Sequence, residues 1–156
     1  MLRVLRWLAI LVIVAFLGIQ FVRPEKNLSP GPIPAEDLRT LHAMPTPIRQ
    51  KLEVSCYDCH SNQTRYPWYA EIQPLGWWLD QHVRDGKREL NLSTFGNYPL
   101  TRQVDKLDAI IDSVKDRTMP LPSYTWSHFD AKFSDEEITA LVAWAEALRD
   151  KIEEEL

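Results

Sequence analysis

The chain is short of the residues that would settle its class by other routes. Of 156 residues only two are cysteine, so no second pair exists to complete a four-ligand zinc site. There is no excess of positive charge. Eighteen Lys and Arg against 22 Asp and Glu give a net charge of −4, and no basic stripe points to nucleic acid. There are no internal repeats, and alternating strand-like patterns are almost absent. Glycine is scarce, at five against eleven prolines, while six tryptophans can line a large apolar pocket or pack as an ordinary aromatic core. The length allows one domain with a tail.

One long apolar run is present. Trp7 to Val22 has Gln20 as its only strongly polar residue, and with Val4, Leu5 and the stem of Arg6 it comes close to the roughly 20 residues that cross a bilayer. Arg3 and Arg6 precede it, as in a signal peptide or an anchor that keeps its N-terminus inside. Gly18-Ile19-Gln20-Phe21-Val22 offers no small-residue cleavage pattern, so residues 1–22 are read as an uncleaved transmembrane anchor. Removing Arg3 and Arg6 with it leaves 16 basic and 22 acidic residues, a net −6. Arg23 and Lys26 just beyond the run make the charge signal for orientation weak. Residues 23–34 hold Pro24, Pro30, Pro32 and Pro34. They predict an extended linker that, at roughly 3.1 Å per residue, could hold a domain at 35–156 on the order of 35 Å from the lipid.

That domain reads as all-α. Pro47 opens a first helix, behind Thr46 as its cap, that runs into the cysteine pair. Pro74 opens a second, carrying Leu75, Trp78, Leu79, His82 and Val83 at helical spacing until Gly86 stops it. A third follows Pro99 with Leu100, Val104, Leu107, Ile111 and Val114 as one stripe. Ser134-Asp135-Glu136-Glu137 is a capping box before a fourth, with Ile138, Leu141, Ala145, Leu148 and Ile152 on one face. The stretches 61–73 and 118–133 are long loops rich in aromatics and proline, a pattern that is often functional.

The chemistry is carried by Cys56-Tyr57-Asp58-Cys59-His60, the C-x-x-C-H attachment pattern of c-type haem. Two thiols at this spacing can form thioethers to the two vinyl groups, and the histidine that follows can ligate the iron. A thioredoxin-like redox pair would want a βαβ context, which is missing, and a disulfide would leave His60 unexplained. Such attachment takes place on the far side of a bacterial inner membrane, where an N-terminal anchor would deliver the domain. For the sixth ligand, Met119 stands beside Pro120 in a loop 59 residues after His60, and its thioether is a soft ligand for low-spin iron. The alternatives are His82, on the apolar face of its helix, and His128. His42 lies near the linker and Met44 before the first helix.

The block Cys56 to Thr64 with Tyr66-Pro67-Trp68-Tyr69 resembles the small haem-binding domain proteins of bacteria. The likeness continues through Trp77-Trp78, His82-Val83, Gly86-Lys87, Leu90-Asn91-Leu92-Ser93 and Met119-Pro120 with Tyr124 and His128, over roughly Ala35 to Leu148. It implies haem binding, one attachment site and an N-terminal anchor or export signal. Tyr66, Trp68 and Trp78 are expected to wall the haem crevice, and Arg65, Arg84 and Arg102 are candidates to pair with its propionates. The expected protein is therefore a cytochrome c-like helical domain around one covalent haem c. It would be held on the periplasmic side of a bacterial inner membrane and pass electrons to membrane or periplasmic redox proteins. The competing readings are a peroxidase-like haem enzyme or its subunit, and a haem-based sensor or structural subunit.

Overall fold

The computed structural model describes residues 1–156 and contains helices and turns but no strand. Helix α1 (Leu2–Ile19) is apolar throughout, buries nothing and has a mean hydropathy of 2.3, so it is long and apolar enough to cross a membrane. It starts earlier and ends earlier than the apolar run suggests. Phe21 and Val22 fall outside it because the chain turns there to meet the folded domain.

That meeting corrects the picture of a free spacer. Gln20 donates from Nε2 to the Gln73 carbonyl at 3.1 Å and accepts from the Gln73 amide at 2.9 Å. The Trp77 indole donates to the Val22 carbonyl at 2.7 Å, and Arg23 and Lys26 both pair with Glu71. Asn27 then spends every polar group it has. Its amide donates to the Tyr66 hydroxyl and its carbonyl accepts from the Thr64 amide. Its side chain donates to the Ser61 carbonyl and the Thr64 hydroxyl and accepts from Lys87. Proline in this segment keeps the chain extended, and an extended chain offers unpaired backbone groups that the domain takes up.

Short helix α2 (Leu38–Leu41) is capped by Asp37, and α3 (Thr46–Ser55) has proline in its first turn as the sequence predicts, although Pro45 and not Thr46 takes the cap position. Helix α4 (Tyr57–His60) is a single turn carrying the motif. Helix α5 (Leu75–Glu89) buries Gly76, Leu79 and Val83, and α6 (Leu100–Lys115) buries Leu107, Ile111 and Val114. After the one-turn α7 (Pro122–Thr125), α8 (Asp135–Glu153) starts at the predicted capping box, with both reciprocal bonds formed.

Helices α6 and α8 pack along their apolar stripes and, with Phe95, Leu38, Leu52 and Leu92, enclose one core. Beside it Asp37 is fully buried. It accepts from the Tyr57 hydroxyl, the Arg39 amide and the Arg39 guanidinium, each at 2.9 Å, so its charge is paired on every side. This cluster fixes the first residue of α4 against α2, and the motif is thereby anchored to the core.

Candidate functional site

The short helix α4 is held from three directions. The Ser55 hydroxyl donates to the Ala131 carbonyl at 2.9 Å, and the Thr64 hydroxyl donates to the Asp58 carbonyl at 2.7 Å. The buried Asp58 carboxylate accepts from the Arg65 amide, the Arg65 guanidinium and the Tyr124 hydroxyl. The Tyr124 contact ties the motif directly to the loop that follows α6.

Helix α5 provides the third support, and Gly86 explains how it comes so close. A Cβ at this position would lie 2.7 Å from the Cys59 carbonyl oxygen and 3.2 Å from the Cys59 Cβ. Gly86 does not end the helix, which continues to Glu89. Its lack of a side chain is instead what lets α5 press against the attachment turn. Gly86→Ala should therefore destabilise the fold. Overpacking against backbone costs about 1–3 kcal/mol, which outweighs the roughly 1 kcal/mol that Ala gains in a helix interior. Urea denaturation of the purified protein measures this, and a net gain in stability would show that the contact is not tight.

Both cysteines are unpaired and partly buried. Burial pushes the Cys56 thiol up to about 12 and the Cys59 thiol up to about 11, so at neutral pH both are neutral thiols. A redox-active pair needs the opposite shift, toward thiolate. His60 is also affected by burial, which lowers its basicity and keeps the imidazole neutral. Its Nδ1 lies 3.1 Å from the Leu90 carbonyl; a carbonyl only accepts, so Nδ1 carries the proton and Nε2 keeps a free lone pair. Metal-ligating histidines are generally oriented by such a second hydrogen bond. No group of three or more His, Cys, Asp or Glu is gathered to hold a bare metal ion.

Cys59 and His60 open onto a cleft of about 180 Å³ whose walls include His82, Gly86, Met119, Leu121 and Tyr124. The structure thus brings His60 together with two of the residues named for the sixth position. His82 donates from Nδ1 to the Trp78 carbonyl at 2.8 Å, which leaves its Nε2 free as well, and Met119 is 37% exposed with its thioether unengaged. His128 does not reach the cleft. It stacks flat on Tyr124, with ring centroids 4.2 Å apart, and its Nδ1 bonds to the Tyr124 carbonyl.

Of the three expected pocket aromatics, only Trp78 comes near, its ring 4.3 Å from that of His82. Tyr66 is turned toward Asn27 and Trp68 stands in solvent, so neither lines the cleft. Arg65 and Arg84 are engaged by Asp58 and Asp80, and Arg102 is exposed on α6. A larger cleft of about 470 Å³ lies on the other side of the motif, but it is polar and reaches neither cysteine nor His60.

One neutral thiol, an imidazole with its Nε2 free and a thioether in the same apolar cleft, with the second thiol of the motif three residues before the first, suit an iron-bearing macrocycle better than a bare ion. The cleft is small beside the roughly 300 Å³ at which ligand pockets begin. A large planar group therefore needs the cleft to widen. The class these features define is a helical protein that holds a haem. Residues 14–147 match the haem-binding domain family, and the chain belongs to it and binds haem. No curated protein and no solved structure matches the chain.

Proposed function

We propose that this protein is a membrane-anchored monohaem c-type cytochrome that carries electrons on the periplasmic side of a bacterial inner membrane. The observation that carries this reading is the cleft that unites Cys59 and His60 with Met119 and His82. When bound, haem supplies one-electron chemistry between its ferric and ferrous states.

The chain's residues have separable tasks in this reading. Cys56 and Cys59 would hold the two vinyl carbons as thioethers, with the thiols kept neutral until they react. His60 would ligate iron through Nε2, while the Leu90 carbonyl holds the ring at Nδ1. Met119 would supply the sixth ligand, with His82 as its rival. Leu121, Tyr124 and Trp78 would keep water from the macrocycle, which raises the potential. Helix α1 would keep the domain near membrane oxidoreductases, so that weak docking suffices.

A second reading draws on Asp85 and Glu89, which line the cleft beside His82. Ionisable groups around an open iron site suit proton transfer to peroxide, as in a haem enzyme or its subunit. Optical spectra of the ferric and ferrous full-length protein separate the two. A carrier should be low-spin and six-coordinate in both states, bind carbon monoxide poorly and turn over peroxide negligibly. A high-spin ferric form with rapid cyanide binding, and peroxide turnover lost in His82→Ala, would replace the carrier with the enzyme.

A further inference from the structure

The contacts between α1 and the domain leave no slack at the end of the candidate span. Gln20 is the residue immediately after α1, and it is bonded to both backbone groups of Gln73. The stretch around Gln73 must therefore lie wherever α1 emerges. The haem-binding domain match also begins at residue 14, inside α1, so it takes in this junction.

The same stretch exposes apolar side chains. Trp68 is 77% exposed, Leu75 47% and Ile72 37%, and Phe21, next in chain to Gln20, is 88% exposed. Exposed apolar side chains gathered where a candidate span ends, rimmed by polar groups, point to contact with another phase or partner. Here the polar rim is Arg23, Lys26 and Glu71, and the apolar surface runs on from α1 itself. Tryptophan is enriched at the headgroup level of membranes, and Arg and Lys extend from there toward water.

We propose that Phe21, Trp68, Ile72 and Leu75 form a foot through which the domain rests on the bilayer that α1 crosses, with Trp68 at the headgroup level. The inference rests on the anchor reading of α1 and goes beyond it: the domain is seated on the lipid, not hung above it. Leu75 opens α5, and His82 follows about 10 Å further along that helix at 1.5 Å per residue. Seating thus fixes the cleft close to the membrane surface.

The test is photo-crosslinking of the full-length haem-loaded protein in phosphatidylethanolamine–phosphatidylglycerol vesicles. The vesicles carry a trace lipid with a diazirine near its headgroup, and adducts are mapped by mass spectrometry. Adducts should appear on α1 and on residues 68–75, several-fold above those on α6 and α8. Those on 68–75 should be lost in Trp68→Ser/Leu75→Ser while those on α1 remain. Adducts on α1 with none on 68–75 above the α8 level would overturn the foot and leave the anchor standing. Adducts on neither segment would overturn the anchor, and the foot with it.

Discussion

After denaturing electrophoresis the full-length protein should still carry haem, visible by peroxidase staining at the position of the polypeptide, and acid–acetone should fail to extract it. The reason is a pair of partly buried thiols three residues apart, Cys56 at the cap of α4 and Cys59 within it beside the cleft and His60. A thioether survives conditions that remove a merely ligated haem. Cys56→Ala with Cys59→Ala should leave no colour on the gel. The native protein should also suffer, because the folded domain would lose a large apolar group that it shields from water. At roughly 25 cal/mol per Å² of apolar surface removed from water, that loss is a large part of the about 5–15 kcal/mol that stabilises a typical domain. The double variant should therefore be recovered in low yield and degrade readily. Haem that washes out of the unsubstituted chain would reduce the protein to a haem binder without covalent attachment.

The residues that make this expectation possible were legible in the sequence for different reasons. C-x-x-C-H is a local pattern whose chemistry depends on spacing alone, and α4 presents it on one turn. The stripes of α6 and α8 were equally plain, because a 3.6-residue period records which face meets the core. The Ser134 capping box is local too, and it forms as read. Gly86 was misread because a glycine late in a helical pattern looks like a stop signal. Nothing in the sequence reports that the Cys59 carbonyl waits on the other side.

The clamp at the N-terminal end was invisible for a related reason. Asn27 bonds to residues 34 to 60 positions away, and polar contacts at that range leave no periodicity to find. Proline in residues 23–34 signals extended backbone, but not whether water or the domain receives its hydrogen bonds. Tyr66 and Trp68 were assigned to the crevice because aromatics cluster there in sequence. A 3-10 turn over Trp68–Glu71 instead carries Glu71 to Arg23 and Lys26, just beyond α1. The one site residue whose role the structure raises is His82. Its proton on Nδ1 and free Nε2 mirror those of His60, a resemblance only coordinates can supply.

Met119→Ala should abolish the weak far-red charge-transfer band that a thioether ligand gives ferric haem. It should also lower the midpoint potential by a sizeable part of the roughly 0.8 V range that axial ligands span. The thioether is a soft, neutral ligand that favours the ferrous state, whereas a second imidazole donates more strongly and favours the ferric. His82→Ala should leave the band in place and shift the potential little. The two side chains line one cleft, so removing the true ligand invites the other to replace it. Met119→Ala is accordingly expected to give a low-spin bis-histidine spectrum, not a vacant high-spin one. The double variant Met119→Ala/His82→Ala should then be high-spin and bind carbon monoxide readily. The reverse pattern, a band missing from the unsubstituted protein and a low-spin state lost only with His82→Ala, would place His82 at the sixth position. Met119 would then only line the cleft. Magnetic circular dichroism of the three variants distinguishes these outcomes independently of any redox partner, so the axial ligand can be assigned before the electron donor is known.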